Sequence, residues 1–135
     1  MHKVKIEISS NRIDEPPIEV VYFGSMEEKE ENALIRYSES ELTGMEGVFT
    51  ELLIRGDHLE IVRTGKVEAR MVFKEKVQDR FLYAMEMGTL NMVLKTDKLH
   101  IHRTGGGYAI EIRYQLEIGG NPPEGNDMKI RITRN

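Results

Sequence analysis

The sequence predicts an all-β fold, a single antiparallel β-barrel of about eight to ten strands spanning residues 1–135. Three observations carry this expectation. Apolar residues recur at a period close to two almost throughout the chain, the spacing of strands with one buried and one wet face. Turn-forming residues interrupt this alternation at short, roughly regular intervals. The connections are too short for crossover helices, which makes sequential neighbours antiparallel. Closing such a sheet removes two exposed edges that would otherwise invite aggregation, and this favours a barrel over a sandwich.

Val4, Ile6 and Ile8 alternate with Lys3, Lys5 and Glu7, giving a first strand with a defined inner face. Residues 14–17 end it, because the successive prolines Pro16 and Pro17 cannot donate ladder hydrogen bonds. Strands are expected at 18–25 and 33–39, with the acidic run EEKEEN between them read as a solvated turn rather than a helix. The next strand covers 48–55, and a segment from Leu59 to Gly65 follows. Strands at 67–74, 80–86 and 89–96 precede a second segment from Leu99 to Arg103, and strands at 108–118 and 128–133 complete the set. Gly56-Asp57, Thr64-Gly65, Gly88, Asp97, Gly105-Gly106 and the loop GGNPPEGND separate these segments.

The segments at Leu59 and Leu99 echo one another, each reading leucine, a polar residue, isoleucine, another side chain, then Arg-Thr-Gly. Their flanks, EARMVFKEK and AIEIRYQLE, share only alternation, so the echo reads as hairpin grammar rather than duplication. In the second, pairing Leu99 with Ile112, Ile101 with Ile110 and Arg103 with Tyr108 places all six on one face, with Gly105-Gly106 as a two-residue turn able to supply positive φ. In the first, Leu59, Ile61 and Arg63 are expected to face Met71, Ala69 and Val67 around a three-residue loop. Both echoes place an arginine on the inner face at a strand end. If every intervening segment is a separate strand, Arg63 and Arg103 share one end of the barrel; a single continuous strand through 80–96 would put them at opposite ends.

Composition narrows the function classes. The chain has 39% hydrophobic and 31% charged residues and a formal charge of −4, which disfavours attraction to a phosphate backbone. It has no cysteine, which removes thiolate nucleophiles, disulfides and cysteine metal sites and suits a reducing compartment. The N-terminal MHKVKIEISS alternates charged and apolar residues and is expected to be a strand rather than a secretory signal, and no segment approaches the ~20 apolar residues of a membrane span. A cytoplasmic monomer or homodimer, without nucleic-acid or membrane partners, is the expectation.

Several short motifs then carry a resemblance: Tyr37-x-Glu39, Leu59-x-Ile61-x-Arg63-x-Gly65, Met71-x-Phe73, Tyr83 with Gly88, Tyr114-x-Leu116 and Met128-x-Ile130-x-Ile132. In this order they resemble the YwiB-like family, small bacterial domains of unknown function. That resemblance implies a calycin-like barrel, related in shape to lipocalins and fatty-acid-binding proteins, and brings no assigned activity. The chain lacks the tryptophan that lipocalins pack near their closed end.

An inward guanidinium needs a partner, because removing water from an ion costs several kcal/mol before compensation. Arg63 and Arg103 either close the barrel through Glu39, Glu86 or main-chain carbonyls, or offer donors to the acid group of a ligand. Tyr37, Tyr83, Tyr108 and Tyr114 fall on inner faces, as core aromatics or as the lining of a polar mouth. Met71, Met85, Met92 and Met128 share that face and adapt equally to core filling or to varied apolar ligands. His100 and His102 stand two apart, opposite Glu111, on the polar outer face, which argues against a metal site. RTGGGYAI lacks both the following helix and the Gly-Lys-Ser/Thr of a phosphate loop, and no residues mark a nucleophile with its base.

The expected function is noncovalent binding of a small amphipathic or anionic molecule by Arg63, Arg103, Tyr37, Glu39, Met71, Tyr83 and Tyr114, without cofactor, metal or catalysis. The alternative is a protein-interaction or structural module with a filled barrel.

Overall fold

A computed structural model describes residues 1–12, 14–40 and 44–135. Among these residues, ten strands form one antiparallel sheet: β1 (His2–Arg12), β2 (Ile18–Lys29), β3 (Asn32–Ser38), β4 (Val48–Ile54), β5 (His58–Gly65), β6 (Ala69–Lys74), β7 (Gln78–Met85), β8 (Gly88–Thr104), β9 (Gly107–Ile118) and β10 (Glu124–Arg134). The spatial order is β6-β5-β4-β3-β2-β1-β10-β9-β8-β7. Hydrogen bonds of 2.9 Å each way between Glu68 and Ala84 bring the two end strands together. Beside them the Asp79 carboxylate accepts the Val72 N–H at 3.0 Å, so a side chain stands in for a ladder partner along this seam. The result is the expected all-β, nearly closed calycin-like barrel.

Alternation sets the core. Val4, Ile6, Ile35, Leu52, Ile54, Leu59, Phe73, Leu94, Ile110, Ile130 and Ile132 point inward and are almost completely buried. Charged residues occupy the intervening outward positions, where Arg36 pairs with Glu51 and Arg113 with Asp127 across neighbouring strands.

The second echo keeps its expected register, with Leu99 opposite Ile112, Ile101 opposite Ile110 and Arg103 opposite Tyr108. Its glycines act differently. Neither Gly105 nor Gly106 has a left-handed φ, whereas a Cβ on Gly107 would lie 1.9 Å from the Ile132 carbonyl oxygen of β10. Close strand approach at Gly107 therefore replaces the expected positive φ in the turn.

The first echo is displaced by two residues: Leu59, Ile61 and Arg63 face Phe73, Met71 and Ala69. A two-residue shift preserves the inner face, so only the loop changes. Gly65, at φ 98°, remains paired with Val48 of β4, and Glu68 is drawn to Ala84, so the chain turns later than the three-residue loop allowed.

Asp97 is not a turn. It sits at a bulge between Thr96 and Lys98 within the 17-residue β8, where Gln115 donates to its carboxylate at 3.2 Å. Because β8 continues through the expected break, Arg63 and Arg103 lie at opposite ends of the barrel.

The acidic run also divides: Glu27, Glu28 and Lys29 belong to β2, and the chain turns at Glu30 and Glu31, with Glu30 at φ 58°. Glu28 accepts hydrogen bonds from Arg103, from Arg134 at 3.0 Å and from Tyr108 at 3.3 Å. Arg103 also lies over the Tyr108 ring, 5.9 Å from its centroid. This cluster knits β2, β8, β9 and β10 at one end and accounts for at least one of the clustered acids.

Hydrogen bonding from Arg134, opposed by burial and reinforced by the charge of Arg103, holds the Glu28 carboxyl below its ordinary value of 4.5. The unfolded chain therefore binds this proton more readily, so the stabilisation is present above about pH 4.5 and declines as pH falls through the lower folded value. In urea titrations across pH, Glu28→Gln is expected to differ most from the parent near neutrality and to converge with it in acid. Parallel curves down to the acid limit would refute the coupling.

Candidate functional site

At the barrel end opposite Glu28, β2 and β3 diverge. Their ladder stops at Ser25 and Arg36, although β2 remains paired with β1 back to Ile18. Gly24 sits at the divergence, where an added Cβ would lie 2.1 Å from the Arg36 carbonyl oxygen. A cavity of about 360 Å³ opens inside this end. Ile8, Val20, Leu52, Ile61, Met128 and Ile130 provide apolar walls, and Tyr22, Tyr37, Glu39, Arg63 and Tyr114 supply polar groups.

Glu39 continues the alternation of Ala33, Ile35 and Tyr37, and its N–H donates to the Val48 carbonyl at 2.9 Å. The turned-in carboxylate has a side chain only 2% exposed. Tyr22 donates to its Oε1 and Thr50 to its Oε2, both at 2.6 Å. Short hydrogen bonds to an ionised acceptor offset part of its desolvation. Arg63, with its side chain 21% exposed, places Nε 4.0 Å from Glu39 Oε2, an ion pair without a hydrogen bond. That Nε is buried and has no hydrogen-bond partner among the described residues.

The aromatic groups surround this pair. Tyr22 and Tyr37 stack with ring centroids 4.4 Å apart, and Tyr114 meets Phe73 edge-on at 5.3 Å. Burial and the Glu39 charge raise the Tyr37 hydroxyl's pKa well above its ordinary value, so the hydroxyl remains protonated. Burial also raises that of Tyr114, while the nearby Arg63 charge opposes the shift.

Of the residues expected to form a site, Arg63, Tyr37, Glu39 and Tyr114 meet at this cavity. Met71 is part-buried and packs against the core, while Tyr83 contacts the cavity-lining Met45 through its hydroxyl, 3.6 Å from the sulfur. Arg103 is the correction: it shares the inner-face register but lies at the far rim, its side chain 59% exposed and paired with Glu28. Met85 is also exposed, because the strand ends there and leaves the core.

Sequence reasoning missed Tyr22 and Thr50 as site residues. Tyr22 lies in the uninterrupted run Val-Val-Tyr-Phe, where alternation gives no face. Thr50 was the available signal, a polar residue between the inward Val48 and Leu52. On the outer surface, the His100 and His102 rings stack at 6.1 Å, with His100 opposite Glu111. No group of three metal-ligating side chains gathers among the described residues.

A family model described as a domain of unknown function, DUF1934, matches residues 3–130. The structure is similar to the crystal structure of ywiB protein from Bacillus subtilis, with TM-score 0.86, 18% identity and coverage of 99% of this chain and 92% of that one. At this identity the likeness establishes the fold alone. No curated protein matches the chain. Among the described residues, no helix is long and apolar enough to cross a membrane.

Proposed function

The chain belongs to that family of domains of unknown function, and we propose that this member holds a small amphipathic molecule noncovalently in the cavity beside Glu39 and Arg63. The supporting observation is a cavity of about 360 Å³ with polar groups at a buried ion pair and aliphatic walls. Its size falls within the ~300–1,000 Å³ range of small-molecule sites, and its mixed lining supplies both orientation and apolar contact. A cytoplasmic setting accords with the absence of cysteine but contributes nothing to the site's chemistry.

Native mass spectrometry of protein purified gently from its own host tests this reading. A small-molecule adduct is expected on the folded chain, and the bare chain mass after denaturation. The unadorned mass under both conditions, together with failure of amphiphiles to bind at millimolar concentration, would overturn it.

A protein-interaction role is the second reading, favoured by the outward Phe23 and Phe49, which are 65% and 57% exposed beside a surface groove near the strand divergence. Replacing both with serine leaves the cavity lining untouched and separates the two readings.

A further inference from the structure

The donors and acceptors around the cavity do not balance, and the imbalance selects a ligand chemistry. Both Glu39 oxygens already accept hydrogen bonds, one from Tyr22 and one from Thr50. The carboxylate also faces Arg63, so a ligand cation would compete with an existing partner. The donors are less committed. Arg63 Nε is buried with no hydrogen-bond partner among the described residues, and the Tyr114 phenol lines the same cavity. These groups reach the same cavity from β5 and β9 and are near enough for the guanidinium charge to influence the phenol.

A buried donor without an acceptor carries a desolvation penalty that a bound acceptor relieves. The missing component is therefore an acceptor, and next to arginine a negatively charged one makes the stronger hydrogen bond. Charge balance limits it further: Glu39 already offsets Arg63, so a dianion would face the carboxylate without a second cation at the pair. A monoanion can engage the guanidinium and the phenol with less repulsion. The cavity volume of about 360 Å³, divided by the ~30 Å³ liquid volume of one water, corresponds to about a dozen non-hydrogen atoms.

We propose that the cavity ligand is a monocarboxylate with an unbranched or compact apolar body of about ten carbons, its acid group accepting from the Arg63 guanidinium and the Tyr114 hydroxyl. This proposal rests on the cavity-binding reading above and adds the chemical class and orientation of the ligand. The apolar body lies against Val20, Ile61, Met128 and Ile130.

Isothermal titration calorimetry with decanoate, decanol and decyl phosphate separates the chemical class of the ligand from cavity binding itself. Near pH 7, decanoate is expected to bind at least about tenfold more tightly than decanol, consistent with a hydrogen bond to a charged group. Decyl phosphate is expected to bind more weakly than decanoate. Tyr114→Phe keeps the ring against Phe73 and removes only the hydroxyl; it should weaken decanoate by about tenfold while changing decanol by less than about twofold. Far-ultraviolet circular dichroism and an unchanged urea midpoint check that this variant remains folded.

If decanol binds as tightly as decanoate, if the phosphate binds more tightly, or if Tyr114→Phe weakens acid and alcohol equally, the carboxylate assignment is overturned while cavity binding stands. If none of the three binds to folded protein, both proposals fail.

Discussion

Glu39→Ala is expected to destabilise the protein by about 3–5 kcal/mol, the range observed when one partner of a buried ion pair is removed. The substitution deprives Arg63 of its counter-charge and the Tyr22 and Thr50 hydroxyls of the acceptor to which both are hydrogen-bonded at 2.6 Å. It also leaves a void beside the cavity. The result should be a lower urea midpoint with a largely unchanged m-value, the signature of lost stability without a change in the surface exposed.

Glu39→Gln separates charge from shape. The amide keeps an acceptor for one hydroxyl but loses the charge facing Arg63, so an intermediate loss is expected. Tyr22→Phe removes one hydrogen bond and should cost about 1 kcal/mol if the neighbouring groups remain satisfied. Pairing Glu39→Ala with Arg63→Met should recover part of the loss, because the second change removes the stranded cation. A midpoint for Glu39→Ala indistinguishable from the parent would show that this carboxylate does not organise the end of the barrel.

The second large effect should come from one glycine of three. A Cβ on Gly107 would stand 1.9 Å from the Ile132 carbonyl oxygen, in a β9–β10 ladder where Gly107 is paired with Thr133. The obstruction is backbone, so no rotamer can relieve it, and Gly107→Ala is expected to cost about 3 kcal/mol or more, at or beyond the upper end for overpacking. Gly105 has no heavy atom within 4 Å of its added Cβ, and its φ is not left-handed. Gly105→Ala should therefore lie within about 0.5 kcal/mol of the parent, as surface substitutions away from special features do. Thermal unfolding of the two variants would test this contrast, and equal midpoints would contradict the assigned close approach.

These glycines show how far local pattern reaches. Three consecutive glycines after Arg103-Thr104 identify a hairpin, and apolar alternation on either side identifies its register. The reason for Gly107 is absent from that pattern, because the atom that excludes a side chain belongs to β10, more than twenty residues later. The first echo shows the same limit. Its inner face was legible from Leu59, Ile61 and Arg63, yet its loop length depended on Val48 holding Gly65 and Ala84 holding Glu68.

The candidate site was partly legible for the same reason. Alternation turned Tyr37, Glu39, Arg63 and Tyr114 inward, and an inward charge demanded a partner. It could not select that partner. Arg103 satisfies the same local rule, but continuation of β8 through the Asp97 bulge carries it to the opposite end, where Glu28 and Tyr108 engage it.

By itself, the sequence determined the all-β class, the antiparallel pairing of neighbours and the inward face of each clearly alternating strand, because these follow from a two-residue period and short turns. Tertiary structure alone decided which end each arginine occupies, which acid meets it, and where β2 and β3 separate to leave a cavity. Those outcomes depend on strand length, bulges and contacts between residues far apart in the chain. Side-chain periodicity specifies a face, whereas position along the barrel axis is settled by how all the strands close together.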